Sequence, residues 1–361
     1  MKICLIVSEN GLGHFKRCVG LWEYWSRLVA DIHCTIYCQE WQIRATNTWE
    51  KAYALRLPNC QLIYDRVSPG VTWSTTPGVY RDNRLISWID KFMNDQWLVK
   101  ADIIISDNLT GILSLRPDTV MMGSFLWMDV LRCYEYIPEV AVFLKQEYEL
   151  IKTYKPPMLC VGAIAMPHVF EMTAAVSLPW FGQAPKMPRK PNRYPQTIAV
   201  TGGATDVAES ELLEIASTIL TQTTCKLMVP AKFYNKLRIF ETDRLEIFGF
   251  EWQDFENADL VIGRPGIGLV TDCIVSGTPM LLFSENGNAE MEHNSRRLNE
   301  MGLAMTFNIA AGATGVINAI NEIFEENIYT GITNNLQKQP VNGFEKAVDW
   351  LTKYGSNAKM L

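Results

Sequence analysis

Residues 257–302 read NADLVIGRPGIGLVTDCIVSGTPMLLFSENGNAEMEHNSRRLNEMG, an order of residue types that spells strand, glycine loop, helix and strand. Leu260, Val261 and Ile262 form the short apolar run of a buried strand. Gly263, Gly266 and Gly268 break it, and an amphipathic segment follows to Ser276-Gly277, with Pro279 just beyond. Glycines let backbone amides come close to a ligand, and the unpaired N–H groups and positive dipole end of the next helix favour an anion. The loop is therefore a candidate diphosphate cradle. Asp272 falls about one and a half turns into the helix, within reach of sugar hydroxyls attached to the phosphates. A second polar cluster, Glu290 to Asn294, follows the next strand. Glycine turns of this kind also occur where they only close the chain, so the loop alone does not settle the chemistry.

The whole constellation resembles the donor half of the GT-B glycosyltransferases, in particular family 28, which includes the peptidoglycan enzyme that transfers N-acetylglucosamine to a lipid-linked acceptor. In that family an R-[SG]-G segment after a strand holds the diphosphate, and an acidic residue in the next helix binds ribose. An acidic or amide residue four before an Asn contacts the donor sugar. The resemblance carries these roles to Arg264, Gly266, Ile267 and Gly268, then to Asp272, then to Glu290 with Asn294. Three positions depart from the pattern. Pro265 replaces a small polar or glycine residue and removes one backbone donor, Asp272 is one methylene shorter than the usual Glu, and Met291 stands where a Gln often follows the acidic residue.

A chain of 361 residues is too long for one ordinary core and divides naturally into two domains. With 48% apolar and 20% charged residues it has the balance of a globular protein. Nine cysteines without C-x-x-C pairs fit free thiols in a reducing cytoplasm better than disulfides or a zinc site. The N-terminal apolar run stops at Val7, short of a signal peptide, and no stretch is long enough to span a membrane. Up to Lys190 there are 20 Lys+Arg against 18 Asp+Glu, and after it 13 against 21, giving +2 and −8 within the total of −6. Neither part is basic enough for nucleic acid. Nine of the 11 tryptophans precede Lys190. They are core formers by default, and their excess leaves room for a hydrophobic or sugar-stacking acceptor cleft.

Along the first part, Lys2–Val7 reads as a buried strand, and Ser8-Glu9-Asn10-Gly11-Leu12-Gly13-His14 then turns into a helix. The G-x-G-H-x-x-R spelling lacks the third glycine of a dinucleotide fingerprint. Family 28 enzymes, and related nucleotide-sugar hydrolases, carry a glycine loop with a His here, so the resemblance makes Gly11 and Gly13 loop residues and His14 a candidate base. The alternative is a helix N-terminal residue that caps or packs locally. Arg17 faces either phosphate or solvent. Ile32–Tyr37, Gln61–Tyr64 and Ala101–Ser106 are further strand candidates, and Met158–Ala165 is read as the last strand of this part. Val79 to Val99 carries apolar residues at helical spacing beside Arg81, Arg84 and Lys91, predicting a core-facing helix, with a membrane-surface helix as the alternative. The strand ending at Ser106 delivers Asp107 and Asn108 to the edge where open α/β sheets place ligands. The ADIIISDN spelling looks like the D-x-x-I-S-D segment of relatives with the same start. Asp107 orients His14, acts as base itself, or caps the next helix.

Leu178–Pro195, with five prolines, reads as a linker. Thr197–Val200 starts a second sheet. Thr201-Gly202-Gly203-Ala204-Thr205 resembles the T-G-G-[ST] loop of family 28, where it faces the donor phosphates, which makes Gly202 and Gly203 donor residues. Leu227–Val229 and Leu245–Phe248 read as strands. The resemblance places Phe248 at the base-binding edge, against the default of a buried strand-end aromatic. Phe344, Ala347, Val348 and Leu351 mark a terminal helix.

The expected fold is α/β with GT-B architecture, two Rossmann-like domains whose parallel sheets face a central cleft. The expected boundaries are 1–178 for the acceptor-side domain, 179–195 for the linker, 196–341 for the donor domain, and 342–361 for a helix crossing back to the first domain. The resemblance implies an inverting, metal-independent transferase with no cofactor beyond a nucleotide sugar, most readily UDP-linked, and an acceptor hydroxyl of a glycan, lipid-linked or small molecule. A nucleotide-sugar hydrolase and a non-catalytic sugar-nucleotide-binding subunit are the alternatives. The expected location is the cytoplasm, with peripheral attachment at the inner membrane face left open.

Overall fold

A computed structural model of the chain describes residues 1–29, 31–45, 59–64, 71–81, 84–182, 194–203, 208–240, 242–283 and 287–358. They form two compact units, Met1–Pro179 with Gly343–Leu361, and Trp180–Asn342.

The first unit is built on β1 (Lys2–Ile6), β2 (His33–Cys38), β3 (Cys60–Tyr64), β4 (Ile103–Asp107), β5 (Val120–Met122), β6 (Pro157–Val161) and β7 (Ala174–Leu178). They lie in the order β3-β2-β1-β4-β5-β6-β7 with every pairing parallel. Helices cover both faces of such a sheet, so its central strands are continuous apolar runs without alternation; Ile3–Ile6 and Ile103–Ile105 are all buried. The terminal helix Gly343–Ala358 belongs to this unit. Its Phe344 ring lies so close to Gly20 of the helix Leu12–Leu28 that a Cβ there would be 2.6 Å from Cζ. Gly355 packs as tightly on Ile103 of β4.

The second unit contains β8 (Thr197–Thr201), β9 (Lys226–Val229), β10 (Leu245–Ile247), β11 (Leu260–Gly263), β12 (Met280–Leu282) and β13 (Met305–Thr306). Their order is β10-β9-β8-β11-β12-β13, again parallel throughout. In each sheet the chain first winds outward one way and then returns to the middle to wind the other way, reversing between β1 and β4 and between β8 and β11. Loops leaving the carboxyl ends of strands on either side of such a switch point diverge and open a crevice.

Several sequence expectations are corrected. β6 is followed by β7, so the first sheet does not end at Met158–Ala165, and β5 and β13 are too short to announce themselves by periodicity. The described residues of 79–99 form no continuous helix. They form 3₁₀ turns at Pro77–Tyr80 and Trp88–Phe92 and short helices at Arg84–Ser87 and Gln96–Val99. The last restarts because the Asp95 carboxylate accepts the amides of Trp97 and Leu98 at 2.9 and 3.1 Å, an N-cap. Within the proline-rich stretch, Trp180 and Phe181 are buried in the second unit, where Trp180 N donates to Pro340 O at 3.1 Å and Phe181 bridges Asn342. Residues 183–193 of that stretch lie outside the described residues. Trp22, Trp25, Trp88, Trp127 and Trp180 are core side chains. Among the described residues no helix is long and apolar enough to cross a membrane.

Candidate active site

The loop after β1 turns at Gly11, whose φ of 107° is accessible to glycine and strained for other residues. It is braced by Gln42, whose Nε2 donates to the carbonyls of Ser8 and Gly11 at 2.9 and 3.1 Å. Gly11 is the N-cap of the helix Leu12–Leu28, so Gly13 and His14 fall in its first turn and His14 is not its cap. His14 Nδ1 lies 2.8 Å from Oδ1 of Asp107, the last residue of β4 and completely buried. β1 and β4 are the neighbours flanking the switch point, which is how residues 93 positions apart meet.

Arg17 corrects a further expectation. One turn beyond His14, it is buried and faces neither solvent nor an open phosphate site. Its Nε and Nη2 donate to Asp107 Oδ2 and Oδ1 at 3.3 and 2.6 Å, and Cys18 Sγ approaches Oδ2 at 3.4 Å. Burial by itself would raise the Asp107 carboxyl; the charge of Arg17 and the hydrogen bonds from His14 and Arg17 outweigh it and hold the group below the usual carboxylate range. An ionised Asp107 only accepts, so the proton between it and His14 sits on Nδ1. The Arg17 Nη2 atom 3.4 Å from Nδ1 is then a close neighbour and not its donor. Nε2 is left with the lone pair. This is the arrangement of a histidine oriented to take a proton, and it disposes of the reading of Asp107 as a helix cap.

In the second unit the two glycine loops leave β8 and β11, register partners in which Gly263 pairs with Thr201. A Cβ on Gly263 would lie 2.7 Å from Leu269 Cδ2 and 2.8 Å from the Thr201 carbonyl, so this glycine permits the close approach of loop, helix and neighbouring strand. Gly202 and Gly203 follow Thr201, and Gly203 N donates to Thr201 Oγ1 at 3.0 Å; residues 204–207 lie outside the described residues. The helix Ile267–Ser276 starts at Gly266, with no side-chain cap and no acidic residue in its first turn. The amides of Ile267 and Gly268 are among the donors an uncapped helix start leaves open, beside the positive dipole end. Arg264 precedes them, and Asp272, half-buried, lies on the same helix.

Glu290 and Asn294 are four residues apart on the helix Ala289–Glu300, buried on one face. Asn294 Nδ2 donates to the Pro265 carbonyl at 3.0 Å, so this side chain fastens the cradle loop. Phe248 is buried against Phe250 and Phe255, with ring centroids 4.8 and 5.0 Å away, and its N–H donates to Val229 O at 2.8 Å, so its side chain is core. Among the described residues no group of three or more His, Cys, Asp and Glu side chains is placed to hold a metal. Sequence reasoning missed Arg17 as a clamp, Gln42 as a brace and Thr201 as a loop anchor; only the His14-x-x-Arg17 spacing hinted at one of them.

Residues 197–349 match the model of the glycosyltransferase family 28 C-terminal domain, the span holding both glycine loops. The second unit is therefore similar to the donor half of family 28, and the chain as a whole has the GT-B fold. An uncharacterized glycosyltransferase of Methanosarcina mazei is 23% identical over 94% of each chain. The GT-B fold also appears in solved structures. The Phytolacca americana enzyme UGT2, complexed with UDP-2fluoro-glucose and pterostilbene, has a TM-score of 0.65 at 11% identity over 99% of each chain. The Streptomyces sp. SF2575 glycosyltransferase SsfS6, complexed with thymidine diphosphate, has a TM-score of 0.60 at 12% identity over 98% of this chain and 99% of the other.

Proposed function

We propose that this GT-B protein is an inverting, metal-independent glycosyltransferase that moves a hexosyl or N-acetylhexosaminyl unit from a UDP sugar to an acceptor hydroxyl. The observation that carries the reading is the His14–Asp107 pair, in which a buried carboxylate clamped by Arg17 holds Nδ1 protonated and leaves Nε2 as the acceptor of a proton. Nε2 takes the hydroxyl proton as the acceptor oxygen attacks the anomeric carbon. The bond from that carbon to the diphosphate oxygen breaks, its electron pair leaves with UDP, and a single displacement inverts the configuration. Backbone amides of Ile267 and Gly268 and the helix dipole receive the growing charge, the role a metal would otherwise fill. Asp272 binds ribose and Glu290 the donor sugar.

Nucleoside diphosphates stand in the descriptions of both solved relatives, which supports a nucleotide-linked donor. Nine cysteines without a C-x-x-C pair agree with a reducing cytoplasm. The test is UDP release from UDP-glucose and UDP-N-acetylglucosamine, measured with and without a panel of hydroxyl acceptors. Release that requires an acceptor and yields a product of opposite anomeric configuration supports the reading. Release at the same rate in water alone makes the protein a hydrolase, and nucleotide binding without release makes it a non-catalytic subunit.

A further inference from the structure

A second histidine–aspartate pair lies two strands from the first along the same sheet. β5 ends at Met122, and the chain runs through Gly123 and Ser124 to a short helix, Trp127–Val130, that carries Asp129. β6 ends at Val161, and the next helix, Pro167–Met172, carries His168. Met166 N donates to Ser124 O at 2.8 Å and joins the two segments. His168 Nδ1 is 2.5 Å from Asp129 Oδ1, and His168 is 38% exposed while Asp129 is 10% exposed. The carboxylate of Asp129 holds the Nδ1–H, and Nε2 on the far side of the ring lies 3.8 Å from the exposed Glu171.

Between the two pairs, consecutive strands end in polar atoms that have no hydrogen-bond partner although they are buried. These are Asn108 Nδ2 after β4, Ser124 Oγ after β5, and Asp129 Oδ2. Asn108 is fixed against Gly123, where a Cβ would come within 2.1 Å of its Oδ1. Native proteins leave few such atoms unpaired, and a run of them along one ligand-bearing sheet edge points to an occupant that supplies the missing bonds. Asn108 Nδ2 only donates, Asp129 Oδ2 only accepts, and Ser124 Oγ and His168 Nε2 do either, the ring nitrogen according to its proton. A hydroxyl matches all four. A fully ionised phosphate cannot donate and would meet the carboxylates of Asp129 and Glu171, which hold the two sides of the His168 ring, and a hydrocarbon would leave every atom unpaired.

We propose that His168, Asp129 and Ser124 form an acceptor subsite for a neutral polyol, such as a sugar ring, along the edge that carries His14. The proposal rests on the glycosyl-transfer reading for the word acceptor; the site itself is read from these residues alone. The chain has four histidines, so ring-nitrogen NMR of the full chain with labelled histidine resolves each, with single His→Gln variants for assignment. The probes are methyl β-glucopyranoside, inorganic phosphate and hexanol. The glucoside is expected to shift the His168 signal saturably, and Ser124→Ala and Asp129→Asn to weaken that response about 10-fold or more while UDP binding, measured by calorimetry, stays as in the parent and reports folding. An unmoved His168 signal, a shift no larger than that of exposed His33, or a response to phosphate or hexanol in place of the glucoside would overturn the proposal. A saturable His168 response in a protein that glycosylates no hydroxyl would uphold the polyol site and remove the transferase reading instead.

Discussion

Asn294 donates its side-chain N–H to the carbonyl of Pro265, 29 residues earlier, at 3.0 Å. Pro265 has no N–H to offer a phosphate, and its carbonyl is what ties the loop down. The helix Ala289–Glu300 thereby holds the segment from which the helix Ile267–Ser276 starts. Asn294→Ala is expected to loosen the cradle and lose about 1 to 3 kcal/mol of UDP affinity, the range for a buried acceptor left unpaired. Calorimetry reads this directly; an unchanged dissociation constant would mean the loop is held by its other contacts.

Two glycines of the same loop separate packing from ligand contact. A Cβ on Gly263 would press on Leu269 and on the rigid Thr201 carbonyl, whereas one on Gly266 meets nothing within 4 Å and φ there is an ordinary −67°. Gly263→Ala should cost about 1 to 3 kcal/mol of stability in denaturant unfolding. Gly266→Ala should unfold close to the parent and still bind UDP more weakly, because its methyl group occupies space the diphosphate would take. Equal affinity in Gly266→Ala and parent would remove the diphosphate from this turn.

His14→Ala should leave donor affinity nearly intact while lowering kcat by roughly 100-fold to 10,000-fold. Asp107→Asn removes the ionised acceptor that keeps the proton on Nδ1, and a loss of the same order is expected. Asp107→Ala adds a structural cost, because Arg17 is then buried without its carboxylate; about 3 to 5 kcal/mol of stability should go with it. A folded His14→Ala protein with parental kcat would exclude His14 as the base.

Stability should depend on pH through Glu147, which is buried and accepts from Thr110 Oγ1 at 3.0 Å. Burial pushes its carboxyl up to about 7, against the opposing hydrogen bonds from Thr110 and Met128. The folded protein therefore holds this proton where the unfolded chain has released it. The contribution is fully present below the ordinary glutamate value and is lost as pH rises through about 7. The loss is on the order of 3 kcal/mol. Glu9, also raised to about 7 by burial, slopes the same way, so the difference between parent and Glu147→Gln isolates the effect. Parallel stability curves between pH 4.5 and 8 would refute it. Asp107 has the opposite sign: its stabilisation is present above the usual aspartate pKa and fades as acid drives the pH down through its lowered folded value.

Much of the architecture and half of the candidate site are matters of local chemistry, and the sequence by itself determined them. Apolar runs such as Ile3–Ile6 and Ile103–Ile105 became central parallel strands because burial on both faces requires continuous apolar side chains. The turns at Gly11 and Gly263 needed glycine for a positive φ and for close backbone approach, and each stands in the chain beside the helix start it serves. What tertiary structure alone decided are meetings between distant residues. Arg17 clamps Asp107 across 90 positions, Asn294 fastens Pro265, and His168 finds Asp129 across 39. None has a sequence period, because the strand order that brings these partners together is set by the packing of whole sheets. For the same reason the helical spacing of Val79 to Val99 misled. Short 3₁₀ and α turns in series repeat apolar residues at nearly the interval of one long helix, and only the cap at Asp95 and the core beneath show where the chain starts again.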